Sequence, residues 1–299
     1  MAPPDPAATA TLVDVTHAVL VNLVGFLAVH RAGAVAVRAV DAKLTFACFR
    51  RSAEGAEPLL SPENLAFKLT NCLHHVCVGL LAGAGAWDGW GAFATALLAR
   101  DAAAARDAAL ALLLEPSANA QRLVPVTMSY FVFDLVHFHL WSASSKRDGG
   151  LMLCHHALSL VLWPVALVYG FAHQWLLLYV AYELSSAALV ANWIIAQTGH
   201  KASKAYLASG TVFTATFLLV RCGALPFSLA ALWLAPPWLA ETAAKVAALP
   251  PAVRWSSAGL VLPHLLTFVW APKVVKGYAK AVFPARRGIG KKAAEEKSR

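Results

Sequence analysis

Two imidazoles and a hydroxyl, those of His155, His156 and Ser159, lie near the start of an apolar run long enough to cross a bilayer. An imidazole that a carboxylate orients can act as a general base or as an acyl-accepting nucleophile. Ionisable side chains are costly inside a membrane and usually serve a function there. The histidine pair is therefore the first candidate for catalysis.

Three charged side chains also fall within apolar runs: Asp134, Glu183 and Arg221. A carboxylate inside a span has to be protonated, paired or placed in a wet cavity. This requirement favours Asp134 as the carboxylate that orients a catalytic histidine, with Glu183 or Arg221 in charge balance. Arg221 is a natural counter-ion for either acid, and a purely structural cation is the alternative.

The composition indicates a multi-span membrane protein. Of the 299 residues, 59% are hydrophobic and 14% are charged, and the mean hydropathy is +0.59, which is unlike a soluble domain. Because a helix needs about 20 apolar residues to cross hydrocarbon, the sequence predicts seven spans. They are 13–36, 67–87, 123–143, 151–171, 174–196, 205–234 and 257–276. The stretches 93–114 and 238–249 are interpreted as interfacial or re-entrant helices.

The positive charges give these spans an orientation. Of the 25 Lys and Arg residues, 18 lie in the loops after spans one, three and five and in the C-terminal tail, whereas the other loops hold five. The positive-inside rule then predicts a luminal or external N-terminus and a cytosolic C-terminus. The net charge of +9 comes without a nucleic-acid recognition motif. We therefore expect a basic, lipid-facing cytosolic surface and no nucleic-acid partner.

In this topology, polar side chains from spans two, three and four share the cytosolic half of the membrane. They are His74, His75, Asp134, His137, His139, His155, His156 and Ser159. Helical spacing sets Tyr130, Asp134, His137 and Trp141 on one stripe of span three. It also pairs His155 with Ser159 and turns His156 about 100° away. The sequence predicts one polar layer built by successive helices.

A structural interpretation competes with the catalytic one. A single His or Asn in a span often only hydrogen-bonds a neighbouring helix, and this interpretation is preferred for His75, His139, Ser186 and Asn192 taken alone. A histidine-rich membrane layer can also hold a di-iron centre, but ligands for one metal must converge and adjacent helical positions diverge. We therefore expect no bound metal, and a metal-dependent lipid oxidase is the least favoured alternative.

Short polar segments recur in a fixed order along the apolar runs. They are 71–74, 130–135, 155–159, 183–186 with Asn192, Arg221 with Pro226, and 270–277. Their order and spacing resemble the TLC-domain superfamily, which includes ceramide synthases, translocating-chain-associated membrane proteins and a set of small TLC-domain proteins. The likeness covers residues 61–280.

The resemblance implies a barrel of six transmembrane helices around a tunnel that admits lipid chains. It divides the chain into an N-terminal segment with the first span (1–60), a TLC domain (61–280) and a basic cytosolic tail (281–299). In the ceramide synthases, paired histidines serve the transfer of an acyl group from CoA to a sphingoid base, a role that falls on His155 and His156 here. The synthases carry an Asp pair in the next span, where this chain has only Glu183. The chain is thus more similar to the small TLC-domain proteins, a group associated with membrane phospholipid composition.

These features together predict an all-α, polytopic membrane protein. The resemblance implies a role in lipid homeostasis and a location in the endoplasmic reticulum rather than the plasma membrane. The expected reaction is a histidine-dependent acyl transfer with acyl-CoA as co-substrate and no bound cofactor. The predicted catalytic residues are His155, His156 and Asp134, and the predicted substrate-binding residues are His74, Tyr130, His137, Ser159, Glu183, Asn192 and Arg221. Membrane lipids are the expected partners, and a homo-oligomer is left open. A non-catalytic lipid sensor or trafficking protein is the alternative function.

Overall fold

The computed structural model describes residues 11–44, 61–137, 149–235, 253, 256 and 259–283. Regular secondary structure in those residues is helical throughout. The helices are α1 (Leu12–Leu44), α2 (Pro62–Leu98), α3 (Ala102–Leu114), α4 (Ala118–Leu135), α5 (Gly149–Val168), α6 (His173–Ala181), α7 (Leu184–Gln197), α8 (Lys204–Phe217), α9 (Gly223–Leu234) and α10 (Leu262–Val282). A π-helical turn, Leu218–Cys222, joins α8 to α9. The described part of the chain is therefore all-α, as the sequence predicted.

Five stretches of the described residues are long and apolar enough to cross a membrane. They are Leu12–Val40, Pro62–Leu98, Gly150–Val168, His173–Gln197 and Lys204–Leu234. These stretches correspond to five of the predicted spans and confirm a polytopic membrane protein. The predicted spans 123–143 and 257–276, the helix 238–249 and the tail 281–299 lie wholly or partly outside the described residues, as do His139 and Trp141. The count of seven spans and the six-helix barrel stay predictions.

Span two is longer than the predicted 67–87. The Ser61 hydroxyl accepts a hydrogen bond from the Asn64 backbone N–H (3.2 Å) and caps the helix, and Pro62 occupies its first turn. At its far end, small apolar residues carry α2 on to Leu98, which gives 37 residues or roughly 55 Å of helix. The predicted interfacial helix at 93–114 is accordingly two elements. Its first residues belong to α2.

The second of these elements, α3, begins after a turn in which Arg100 has a φ of 58°. The Asp101 carboxylate accepts a hydrogen bond from the Ala104 backbone N–H (3.0 Å) and caps the helix. With 13 residues, α3 measures roughly 20 Å. It is too short to cross the roughly 30 Å of hydrocarbon, which agrees with an interfacial position and not with an additional span.

Helix α2 is the centre of the bundle and packs against α1, α3, α4, α6 and α7. It buries Phe67, Val78 and Phe93 against these neighbours. Helix α1 lies outside, against α2 and α4, and exposes apolar side chains such as Val13 and Val24, which suits contact with lipid. Helix α10 packs against α8 and the π-helical turn. This arrangement leaves a space between α2, α4, α5, α7, α8 and α10.

A set of hydrogen bonds holds the start of α6 in place. The Ala172 backbone N–H donates to the Leu113 carbonyl (2.7 Å), and the Ser117 backbone N–H donates to Nδ1 of His173 (2.8 Å). From α2, the indole N–H of Trp90 donates to the Gln174 carbonyl (3.0 Å). These bonds fix the register of α6 against the rest of the bundle, and with it the residues that follow.

The span formed by α6 and α7 is broken at Tyr182 and Glu183. Helix α2 approaches this break so closely that a Cβ atom on Gly79 would lie 2.8 Å from the Leu184 backbone nitrogen. Because real Cβ atoms do not come that close to a backbone, glycine is required at this position. The close approach places the break directly against α2.

Candidate functional site

The space between the six helices is a cavity of about 830 Å³. This volume lies within the range of sites that hold small organic ligands. Apolar side chains of α7 and α8, among them Leu189, Val190 and Phe213, line one part of it. The remaining wall carries an unusual number of ionisable groups for a cavity in a membrane protein, and such groups mark functional sites.

A carboxylate and an imidazole meet where α4 faces α5. Nδ1 of His156 lies 3.3 Å from Oδ2 of Asp134, and both side chains line the cavity. The His156 ring stacks on Phe131 with centroids 4.4 Å apart and an angle of 16° between the planes. The carboxylate and the aromatic ring together fix the orientation of this imidazole. The sequence predicted Asp134 for that position.

A second pair of the same kind joins α2 to the α6–α7 break. Nδ1 of His75 lies 2.9 Å from Oε2 of Glu183. The Tyr130 hydroxyl lies 3.5 Å from Nε2 of His75 and is hydrogen-bonded to Asp134. Tyr130 therefore connects the two pairs. Five side chains from four parts of the chain form one continuous polar network along the cavity wall.

Arg221 lies in the π-helical turn, a type of helix defect that is frequent at functional sites. Its Nε donates to the Ser185 hydroxyl and its Nη2 to the Tyr182 carbonyl, each at 3.2 Å. Within the described residues no ion pair joins Arg221 to Asp134 or to Glu183. The direct partners of Arg221 are thus a carbonyl and a hydroxyl of the broken helix. Its role as counter-ion to an acid of the cavity stays a prediction.

Three aromatic rings surround the Arg221 guanidinium. Its central carbon lies 5.5 Å from the ring centroids of Tyr182 and Phe217 and 5.8 Å from that of Trp270. These distances are within the range of cation–π contacts. The rings come from the α6–α7 break, α8 and α10, so Arg221 ties these elements together at the cavity wall.

Seven of the ten predicted site residues line the cavity: Tyr130, Asp134, His155, His156, Glu183, Asn192 and Arg221. One of the seven, Asn192, also bridges α7 and α8, since its amide donates to the Tyr206 carbonyl and the Ser209 hydroxyl, each at 2.8 Å. The structure thus brings the three predicted catalytic residues to one cavity. Their catalytic role stays a prediction.

The other three predicted residues, His74, His137 and Ser159, do not line the cavity. His74 stacks on the ring of Tyr130 (centroids 4.2 Å apart), and His137 stacks on Phe67 (3.8 Å). The Ser159 hydroxyl donates to the His155 carbonyl (2.9 Å) of its own helix. The helical phase of His74 and of His137 turns each ring toward an aromatic ring of a neighbouring helix. Their predicted contact with substrate has no support in these positions.

The predicted site residues left out three cavity residues with basic side chains: Lys68, His75 and Lys273. The sequence did contain a signal for Lys68 and His75. Together with Asn71 they are spaced i, i+3 and i+7, so the three polar side chains share one face of α2. His75 had been interpreted as a residue that only holds helices together. Its carboxylate partner lies on another helix, at a break that no sequence pattern marks.

Metal ligation has no support among the described residues. No group of three or more His, Cys, Asp and Glu side chains there could hold a metal ion. The two carboxylate and imidazole pairs are linked through a tyrosine and do not converge on one point.

A comparison with protein-family models identifies a domain in this chain. The family model for the TLC domain matches residues 109–276, which is more than half of the chain. The matched range begins within α3 and so includes the catalytic residues predicted from the sequence. It leaves out α2, although Lys68 and His75 of α2 line the cavity. No solved structure matches the chain.

Proposed function

The chain belongs to the TLC-domain family, and from this premise we propose that its cavity binds an acyl-chain lipid and that His156 catalyses an acyl transfer. The TLC domain and the apolar helices make it a membrane protein of lipid biology. The finer assignment to lipid homeostasis in the endoplasmic reticulum, with a cytosolic C-terminus, belongs to this proposal.

The observation that supports the proposal most is the contact between His156 and Asp134 at the wall of a cavity large enough for an alkyl chain. A carboxylate at Nδ1 selects the tautomer with a proton on that nitrogen. Nε2 then carries the lone pair and has the form that a general base requires. Without the cavity, the same pair would be an ordinary interhelical contact.

In the proposed reaction, acyl-CoA supplies the acyl group. Nε2 of His156 removes a proton from the hydroxyl or amine of a lipid acceptor, and the resulting nucleophile attacks the thioester carbonyl. The C–S bond breaks, the thiolate of CoA leaves, and the imidazolium returns the proton to it. The negative Asp134 carboxylate stabilises the imidazolium that forms between these steps.

The second pair has a supporting role in this reaction. Glu183 orients His75, and His75 in turn holds the Tyr130 hydroxyl next to Asp134. The single O–H of Tyr130 can donate either to Nε2 of His75 or to the Asp134 carboxylate, and Tyr130 lies between the two. The two pairs then act as one unit.

A non-catalytic lipid sensor or trafficking protein is the second candidate. The stacking of His156 on Phe131 and of His74 on Tyr130 favours it, because rings packed in this way stabilise helix contacts by themselves. In this case the cavity retains a lipid without turnover. Substitution of the histidines then lowers the amount of folded protein and changes no reaction.

Labelled acyl-CoA distinguishes the two candidates. Purified protein in mixed-lipid nanodiscs is incubated with it, and the lipids and the protein are analysed for the label. Acyl transfer by the wild type that His156→Asn abolishes, while His200→Asn in an exposed loop retains it, supports the enzyme. Lipid retention without transfer of the label in the wild type supports the sensor and contradicts the acyltransferase.

A further inference from the structure

Among the residues that the structure describes, the charges that line the cavity do not balance. Three cations, Lys68, Arg221 and Lys273, face two carboxylates, Asp134 and Glu183. Each carboxylate is already in contact with an imidazole. The wall has an excess of one positive charge when the histidines are neutral, and a larger excess when they are protonated. The excess belongs to the exposed Lys273 at the rim, so an anionic ligand that lies between Arg221 and Lys273 balances the charge of the cavity.

Arg221 has N–H donors that are available to such a ligand. A guanidinium carries five N–H groups, of which Nε–H and one N–H of Nη2 have acceptors in the protein. No other acceptor for this side chain exists among the described residues. The three aromatic rings hold the guanidinium in place without neutralising it. Its free edge suits the oxygens of a phosphate, which arginine binds with paired hydrogen bonds.

Lys273 extends this positive region along α10. It lies one helical turn after Trp270, which contacts the Arg221 guanidinium. Lys273 is exposed and lines the cavity. A headgroup that reaches from Arg221 toward the surface therefore meets a second cation at the rim.

The polar end of the lipid decides its affinity. An alkyl chain that leaves the bilayer for an apolar cavity exchanges one hydrocarbon environment for another and gains little from the hydrophobic effect. A charge-assisted hydrogen bond in a partly buried site is stronger than one in water. Selectivity among lipids with the same chain must then come from the headgroup.

We infer that the cavity selects an amphiphile with a phosphate-bearing headgroup, held by Arg221 and Lys273. This inference rests on the proposed function, since it names the class of lipid that the cavity takes. The phosphate has two possible sources, a membrane phospholipid and the CoA of an acyl donor, and the same two cations would hold either.

Five ligands with one chain length separate these sources and test the charge. A monoacylglycerol phosphate, an acyl-CoA, a fatty acid, a monoacylglycerol and an alkylamine each compete for the purified full-length protein in phosphatidylcholine nanodiscs against a fluorescent monoacyl phosphate. We expect the monoacylglycerol phosphate to bind about tenfold or more tightly than the monoacylglycerol. Preference for acyl-CoA over the monoacylglycerol phosphate would assign the phosphate to CoA.

Matched variants connect the preference to the two cations. Arg221→Gln and Lys273→Gln should each reduce the preference for phosphate at least threefold. Lys276→Gln should retain it, because Lys276 is exposed on the same helix and does not line the cavity. The Lys273 variant keeps the test valid if the Arg221 variant fails to fold.

The outcomes also separate this inference from the proposed function. Equal binding of all five ligands overturns the inference and leaves a lipid-binding cavity. Preference for the alkylamine or the fatty acid also overturns the inference. Binding of none of them contradicts both.

Discussion

Nδ1 of His75 lies 2.9 Å from Oε2 of Glu183, although His75 belongs to α2 and Glu183 lies in the α6–α7 break, more than 100 positions later in the chain. The contact exists because α2 meets the α6–α7 break at Gly79. Tyr130 connects this pair to Asp134 and His156. The cavity therefore has two imidazoles that carboxylates orient, and both belong to one network.

Asp134→Asn should lower acyl transfer by roughly 10²- to 10⁴-fold. An amide in place of the carboxylate can donate a hydrogen bond to Nδ1, which favours the tautomer without a lone pair on Nε2. Folding should change little, because Asn has the same shape. The measurement is the initial rate with labelled acyl-CoA, with Asp88→Asn, an exposed acid outside the cavity, as the control. An unchanged rate for Asp134→Asn would remove His156 and Asp134 from the mechanism.

His75 and Glu183 should be coupled in stability. A double-mutant cycle with His75→Ala and Glu183→Ala should give an interaction free energy of about 0.5–3 kcal/mol. The side chains are 4% and 12% exposed, so solvent screens the pair only weakly. Unfolding of the four proteins in one detergent measures the coupling.

The exposed pair of Arg38 and Glu63 is the matched control for this cycle. Its coupling should stay below about 1 kcal/mol, as for other surface ion pairs. A coupling between His75 and Glu183 that is no larger than the surface value would show that their contact does not stabilise the fold.

Gly79→Ala should destabilise the protein by about 1–3 kcal/mol. The new Cβ would lie 2.8 Å from the Leu184 backbone nitrogen, and the backbone can avoid it only if α2 moves away from the break. Gly83→Ala, one turn further along α2, is the control, because its Cβ would meet Ala181 Cβ at an ordinary 3.9 Å. Thermal unfolding compares the two variants. Equal stability of both would contradict the close approach of α2 to the break.

Gly277→Trp should prevent lipid from occupying the cavity. Gly277 lines the cavity, and a Cβ there meets no atom within 4 Å, so a large ring can enter without a clash. Removal of a glycine from the interior of α10 also favours the helix by up to about 1 kcal/mol. The expected result is a folded protein with a several-fold weaker lipid affinity.

Gly25→Trp controls for the added indole. Gly25 is exposed on α1 and likewise has no atom within 4 Å of a built Cβ, but it lies outside the cavity. Its lipid affinity should equal that of the wild type. The same loss of affinity in both variants would refute the cavity as the binding site.

One physical reason made both the helices and the candidate catalytic residues predictable from the sequence. A charge or an imidazole in an apolar run is costly, and His155, His156 and Asp134 stand out against such runs. Helical spacing placed Tyr130 and Asp134 on one face, and both line the cavity. The same rule failed for His137, because α1 and α2 pack against that part of α4, and Phe67 takes up the ring.

The pairing of His75 with Glu183 and the partners of Arg221 were beyond the sequence. They depend on the break at Tyr182 and Glu183 and on the π-helical turn at Arg221, two backbone irregularities that have no proline or glycine at their centre. The break exposes the Tyr182 carbonyl, and Arg221 donates a hydrogen bond to it. Side-chain periodicity in an ideal helix cannot anticipate either feature.

The central claim is that the cavity lined by the two carboxylate and imidazole pairs holds one acyl-chain lipid. Native mass spectrometry of the purified wild type, Gly277→Trp and Gly25→Trp proteins tests it most directly. The account predicts one co-purified lipid bound to the wild type and to the Gly25 variant, and none to the Gly277 variant. A wild-type protein that carries no lipid, or a Gly277 variant that retains it in full, would contradict the account.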